Sequence, residues 1–260
     1  MRTIKSDTVV VKIGTSSLTF ANGKMNFQRI EKLVRVLSDI KNSGKNVVLV
    51  SSGAIGVGVS KLNLPERPTS VQQKQATAAV GQCQLMSIYD KFFSEYNQIV
   101  SQILLTKFVI DNEKSRSNAV NTFKTLLEMG VIPIVNENDV ISTEEIEFGD
   151  NDTLSAYVAE LVHADLLIIM TDIDGCYDKN PKTNPDATLI REIYSITDEL
   201  KENAGGAGTR LGTGGMVTKL LAAEIAQKSN VNTVIVNGDD PKIIYDIING
   251  EEKGTIIYGV

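Results

Sequence analysis

The residues best suited to chemistry stand at the ends of apolar runs. Lys12 closes Val9-Val10-Val11-Lys12-Ile13 and is followed by Gly14, Thr15 and Ser16. A lysine there aims a compact cation into a loop crevice, and Gly14 lets backbone amides approach an oxyanion. An ordinary surface lysine on a strand end is the competing reading. Val48-Leu49-Val50 runs into Ser51-Ser52-Gly53-Ala54-Ile55-Gly56, a Ser/Gly turn and a small-residue helix start. Its unpaired N–H groups suit a phosphate or carboxylate, although tight helix-sheet packing would demand the same small residues.

Further along, Gly212-Thr213-Gly214-Gly215-Met216-Val217-Thr218-Lys219 enters a helix carrying Leu220, Leu221, Ala223 and Ile225. Such glycines can wrap polyphosphate with backbone donors while Lys219 reaches the bridging region. It is not a Walker A loop, since the glycine-lysine pair is missing and no strand immediately precedes it. A flexible surface linker is the competing reading, weighed against by the lysine at a helix start, where the dipole disfavours a cation. Asn136-Glu137-Asn138-Asp139 and Gly149-Asp150-Asn151-Asp152-Thr153 form an acidic pair of segments that could converge across a loop. Asn and Asp can accept hydrogen bonds from an ammonium group, and one carboxylate can hold two lysines in register. Helix capping needs only one of Asp150, Asn151 and Asp152, so the excess calls for another role. Finally, Met170-Thr171-Asp172-Ile173-Asp174-Gly175-Cys176-Tyr177-Asp178 reads as strand end, acidic turn and exposed aromatic, suited to a nucleotide. The calcium-loop pattern ending in glutamate is absent, and no metal ligand is assigned.

The elements that must position these residues alternate. Runs at Val9–Ile13, Val47–Val50, Val100–Leu105, Ile132–Val135, Leu166–Met170, Thr233–Val236 and Thr255–Ile257 lack strict polar alternation, as strands buried on both faces do. Between them lie helical periods: Ile30, Leu33, Val34, Leu37 and Ile40 with Gly44 as a stop, then Lys74 to Tyr96, Arg116 to Met129, and a helix from near Thr153. This pattern predicts an α/β fold, a mostly parallel sheet sandwiched between helix layers. Ligands then belong beyond the carboxyl ends of the strands.

With 260 residues and 42% hydrophobic content, the chain can bury a sizeable core. A net charge of −6 without an evident basic patch argues against nucleic acid and gives an anionic substrate no help from the global field. No apolar stretch approaches the roughly 18 residues of a membrane helix, so no membrane partner is expected. Cys83 and Cys176 are far apart and suggest neither a disulfide framework nor a metal site, which favours the cytoplasm. The lone histidine, His163, reads as a helix-end residue.

Taken in order, VVKIGTSSLT, SSGAIGVG, VNENDVIS, FGDNDTLSA, TDIDGCYDKNP and GTGGMVTK resemble the amino-acid-kinase family and, within it, the glutamate 5-kinase family, along essentially the whole chain. The resemblance implies a three-layer αβα sandwich of the carbamate-kinase-like type. It also implies transfer of the ATP γ-phosphoryl to the γ-carboxylate of L-glutamate with Mg²⁺ assisting, the first step of proline synthesis, with feedback by proline. Members are usually homo-oligomers, so a dimer or tetramer is expected. Residues 1–260 are expected to form one kinase domain, with a glutamate-binding lobe to about 165 and an ATP-binding lobe over 166–260, and no C-terminal PUA domain of the kind many members carry.

Carried over by position, Lys12 and Lys219 resemble the lysines that stabilise the transferring phosphoryl, with Asp152 orienting them. Ser52, Asp139 and Asn151 match glutamate-binding positions, with Gly53, Asn136 and Asp150 helping. Thr171, Asp172 and Thr213, Gly214, Gly215, Met216, Val217, Thr218 and Lys219 match nucleotide-binding positions, and Gly14 and Gly53 resemble donors of backbone N–H to the phosphoryl. Related kinases acting on another acceptor, and a non-catalytic amino-acid sensor, are the alternatives.

Overall fold

Apolar runs become strands where β-branched residues repeat, and helices where apolar residues return every three or four positions. A computed structural model describes residues 2, 4–20, 23–141, 151–181, 183–205 and 215–260. The strands are β1 (Thr8–Ile13), β2 (Asn46–Ser51), β3 (Val100–Leu105), β4 (Ile132–Glu137), β5 (Leu166–Thr171), β6 (Glu192–Ile193), β7 (Asn232–Asn237) and β8 (Thr255–Ile257). The helices are α1 (Thr15–Leu18), α2 (Phe27–Asn42), α3 (Ala54–Lys61), α4 (Val71–Ser94), α5 (Lys107–Asp111), α6 (Glu113–Glu128), α7 (Asn151–Leu161), α8 (Asp198–Gly205), α9 (Met216–Lys228) and α10 (Ile243–Ile248).

Strands lie in the order β3-β4-β2-β1-β5-β7-β8-β6. Every neighbouring pair is parallel except β7 with β8. The chain moves from β1 to β2 on one side and later to β5 on the other, so the order reverses at β1. Such a switch point opens a crevice beyond the strand ends.

Side-chain parity along β1 sorts the two faces. Val9, Val11 and Ile13 join the apolar layer built with Ile30, Leu33 and Leu37 of α2 and Leu85 and Tyr89 of α4. Val10 joins the opposite layer, with Leu154 and Ala156 of α7 and Leu220 and Ala223 of α9. Successive side chains in a strand alternate, so Lys12 shares the face of Val10 and extends towards α7 and α9. The fold is therefore the expected αβα sandwich, with β8 and its parallel neighbour β6 running against the other six strands.

Element boundaries shift where polar caps precede the periodic residues. Asn26, Ser70 and Asn112 each accept a backbone N–H through their side chains and start α2, α4 and α6. Consequently α4 begins at Val71 rather than Lys74, and α6 at Glu113 rather than Arg116. Gly44, with φ of 93°, stops α2 as expected, Gly130, at φ 77°, stops α6, and His163, at φ 49°, turns the chain after α7.

Candidate active site

A cleft of about 480 Å³ opens at the switch point, lined by residues that follow β1, β2, β4 and β5 together with Lys219. Lys12 Nζ lies 2.5 Å from Asp152 Oδ1, and Lys219 Nζ lies 2.9 Å from Asp152 Oδ2. Thr218 Oγ1 approaches the same Oδ2 at 3.4 Å. Asp152 is 0% exposed, Lys12 6% and Lys219 5%. Two ammonium groups on one carboxylate leave a net positive charge at the cleft wall. Burial pushes the Asp152 carboxyl upward, but the adjacent charges of Lys12 and Lys219 outweigh it and hold the group below the usual carboxylate range. Buried ion pairs contribute little net stability because desolvation offsets attraction, so the cluster points to function.

Local sequence explains the convergence. Lys219 heads a stripe with Ala222, Ala223 and Ala226 on the buried side of α9. Asp152 stands in the first turn of α7 above Ser155, Ala156 and Ala159, also buried. Small side chains on both helices let them pack closely and bring the polar heads within reach. Asp152 is thus an ion-pair partner inside the helix and not its cap, and α7 begins at Asn151 rather than near Thr153.

The other half of the cleft is an amide relay. Asn136 Nδ2 donates to Gln82 Oε1 at 2.9 Å, and Asn151 Nδ2 donates to Asn136 Oδ1 at 2.8 Å, Ser52 Oγ at 2.8 Å and the Ser51 carbonyl at 3.1 Å. Since two of those partners can only accept at this point, the orientation of the Asn151 amide is determined. Its buried Oδ1 has no hydrogen-bond partner among the described residues. An amide oxygen in that position can accept from an ammonium group. Ser51 Oγ and Tyr89 Oη, 2.8 Å apart, brace the end of β2, and burial raises the Tyr89 phenol. Asp139 completes this half. Its partial burial pushes the carboxyl up, and the Arg67 charge opposes that rise.

The helices that open at the cleft are unusual at their starts. α1, α3 and α9 begin after Gly14, Gly53 and Gly215, with no side-chain hydrogen bond from any of these caps. Gly53 takes φ 106°, which frees the turn to aim the first amides of α3 at the cleft. Amides left without a side-chain acceptor suit an anion.

The structure therefore brings together Lys12, Lys219, Asp152, Ser52, Gly53, Asn136, Asp139, Asn151, Thr171 and Asp172, all of which line the cleft except Asp152, which pairs with Lys12 and Lys219. Thr171 Oγ1 donates to Asp172 Oδ1 at 3.1 Å at the end of β5. Asp150, Thr213 and Gly214 lie outside the described residues. Gly215, Val217 and Thr218 sit at the start of α9, while Met216 packs its side chain against the apolar layer, leaving its backbone for any nucleotide contact. Tyr177 is half-buried and bridged to Leu189, correcting the expected exposed aromatic. Sequence reasoning missed Gln82 and Arg67. Gln82 was detectable as a polar residue within the stripe Ala78, Leu85 and Tyr89 of α4, all buried.

Among the described residues, no group of three or more His, Cys, Asp or Glu side chains could hold a metal ion. Cys83 and Cys176 are free thiols, and burial pushes that of Cys176 up to about 11. No helix among the described residues is long and apolar enough to cross a membrane.

Comparison with known proteins agrees with this geometry. Residues 7–237 match the model of the amino acid kinase family. A glutamate 5-kinase from Clostridium perfringens is 58% identical over 255 residues, covering 96% of this chain and 95% of the relative. One from Listeria innocua is 55% identical, covering 96% and 92%. Among solved structures, carbamate kinase from Giardia lamblia bound to AMP-PNP superposes with a TM-score of 0.71 at 20% identity, covering 98% of this chain and 99% of that one. UMP kinase from Ureaplasma parvum gives 0.65 at 17% identity, covering 98% and 100%. The structural likenesses speak for the fold, and the family match with the close relatives speaks for descent: the chain belongs to the amino acid kinase family, alongside glutamate 5-kinases.

Proposed function

We propose that this chain is a glutamate 5-kinase, an ATP-dependent enzyme that transfers the γ-phosphoryl of ATP to the γ-carboxylate of L-glutamate, giving L-glutamyl 5-phosphate and ADP. The observation that carries the reading is the pair of buried ammonium groups on Asp152 at the wall of a cleft whose other side offers acceptors for an amino acid. The kinship with glutamate 5-kinases supports the choice of acceptor.

The mechanism needs no general base. A glutamate side chain, with a reference pKa near 4.3, is already ionised at neutral pH. One of its oxygens forms a bond to Pγ as the bond from Pγ to the β,γ-bridging oxygen breaks, and ADP leaves with that electron pair. The barrier lies in pressing two anions together in line. Lys12, at the end of β1, faces the phosphoryl from the acceptor side, and Lys219, at the start of α9, faces it from the nucleotide side. Asp152 holds both in position and prevents their mutual repulsion from driving them apart. The amides after Gly14 and Gly53 donate to the phosphoryl oxygens. Ser52, Asn136, Asp139 and Asn151 orient the amino acid, with Asp139 and the Asn151 Oδ1 on its ammonium. Thr171, Asp172 and the residues from Gly215 to Lys219 hold the nucleotide.

Mg²⁺ keeps much of its water shell and binds largely through substrate phosphates. Asp172, exposed at the donor end, fits as its protein contact and would let it neutralise charge on the phosphates. Within this reading the acceptor lobe extends to about residue 165 and the donor lobe from 166 to 260. The resemblance carries further properties: proline biosynthesis as the pathway, proline as feedback inhibitor, a cytoplasmic site and a homo-oligomer.

The test is hydroxamate formation from L-glutamate, ATP and Mg²⁺, because hydroxylamine traps an acyl phosphate. ADP release with hydroxamate from glutamate supports the proposal. Turnover with aspartate, carbamate or a nucleoside monophosphate in place of glutamate would overturn it.

A further inference from the structure

An acceptor with two carboxylates and one ammonium needs a cation for the carboxylate that does not react. Lys12 and Lys219 are committed to Asp152 and the transfer end, each buried against its carboxylate. Arg67 also lines the cleft, on the acceptor side with Ser52, Asn136 and Asp139. It stands in the segment between α3 and α4, exposed, next to buried Pro68 and shortly before the Ser70 cap of α4. The guanidinium forms no hydrogen bond or ion pair with a described residue, yet its charge is felt at Asp139. A planar fork of N–H donors matches a carboxylate in two-point fashion, and a chain of net charge −6 supplies no general attraction for an anion.

We propose that Arg67 recognises the α-carboxylate of the acceptor, pairing with it while Asp139 takes the α-ammonium, so that the cleft selects an α-amino acid and not simply any carboxylate. This rests on the glutamate reading above and deepens it. Arg67 is a specificity-determining residue distant from the transferring phosphoryl. Its loss should therefore act on acceptor binding and leave the nucleotide untouched.

The experiment compares L-glutamate with its α-amide, which keeps the γ-carboxylate and replaces the α-carboxylate by a neutral carboxamide. Wild-type protein, Arg67→Ala and Arg67→Lys are assayed with both by hydroxamate and ADP release. Loss of a charge-assisted pair should lower kcat/KM for glutamate by about 10- to 100-fold in Arg67→Ala, mainly through KM. The α-amide value should stay within about twofold of wild type, as should KM for ATP, and Arg67→Lys should fall between. Equal losses on both acceptors, or no loss on either, would overturn the inference. Wild-type protein that turns over no glutamate would sink the underlying function and this inference with it. An active wild type whose discrimination survives in Arg67→Ala sinks this inference alone.

Discussion

Lys12 and Lys219 share one carboxylate: each ammonium takes a different oxygen of Asp152, at 2.5 and 2.9 Å. A strand from the start of the chain and a helix near its end thus contribute equivalent charges to one point. In the proposed transfer, the two charges would face the phosphoryl from the acceptor and donor sides.

Removing either cation should strike turnover. Lys12→Ala or Lys219→Ala is expected to lower kcat by about a hundredfold or more, as loss of a preorganised transition-state donor does. Steady-state rates with glutamate and ATP at saturation are the measurement. Near-normal kcat in either variant would contradict the assignment.

Asp152 should couple activity to stability. Asp152→Asn removes the countercharge between two buried ammonium groups and should destabilise the fold by about 3–5 kcal/mol while also depressing kcat. Direction with pH follows from the lowered carboxyl. A group that ionises more readily when folded stabilises fully above its unfolded value, 3.8, and that contribution drains as pH falls through the folded value. Denaturant titrations should show the wild type ahead of Asp152→Asn at neutral pH, with the gap narrowing in acid. A gap that widens below pH 4 is the contrary result.

Gly81 should tolerate no side chain. A Cβ there would come 1.7 Å from the Ala54 carbonyl oxygen and 2.5 Å from the Gly58 nitrogen, where α4 crosses α3. Replacing glycine by alanine inside a helix ordinarily gains up to about 1 kcal/mol. Here overpacking reverses the sign, and Gly81→Ala should cost about 1–3 kcal/mol or more. It should also raise KM for glutamate, because α3 starts from Gly53 at the cleft. Gly56→Ala, whose Cβ would meet Thr15 Cγ2 at an ordinary 3.5 Å, is the stability control. Equal melting temperatures for both variants would refute the clash.

Gln82 should act through its amide partners. In Gln82→Met the Asn136 Nδ2 loses its buried acceptor, at a cost of about 1–3 kcal/mol, and the Asn151 amide loses its fixed orientation. Expected is a raised KM for glutamate with KM for ATP unchanged. A variant that merely lowers the melting temperature, with both KM values intact, would make Gln82 structural only.

Much of this was legible along the chain because it is written in short windows. Buried β-branched runs and helical periods depend on neighbouring residues, so the seven longer strands emerged at nearly their observed positions, Val100–Leu105 and Thr255–Ile257 without change. Motifs following strand ends had to lie on one edge of a parallel sheet. What required the tertiary structure was everything set by strand order and by helix-on-helix packing. The switch at β1 brings Asp152 between Lys12 and Lys219. The crossing of α3 and α4 makes Gly81 indispensable. The packing of α4 against the sheet delivers Gln82 to Asn136, and the segment between α3 and α4 brings Arg67 to the cleft wall. None of these has a local signature, since the free energy that selects them comes from burial and charge shared between residues far apart in the chain.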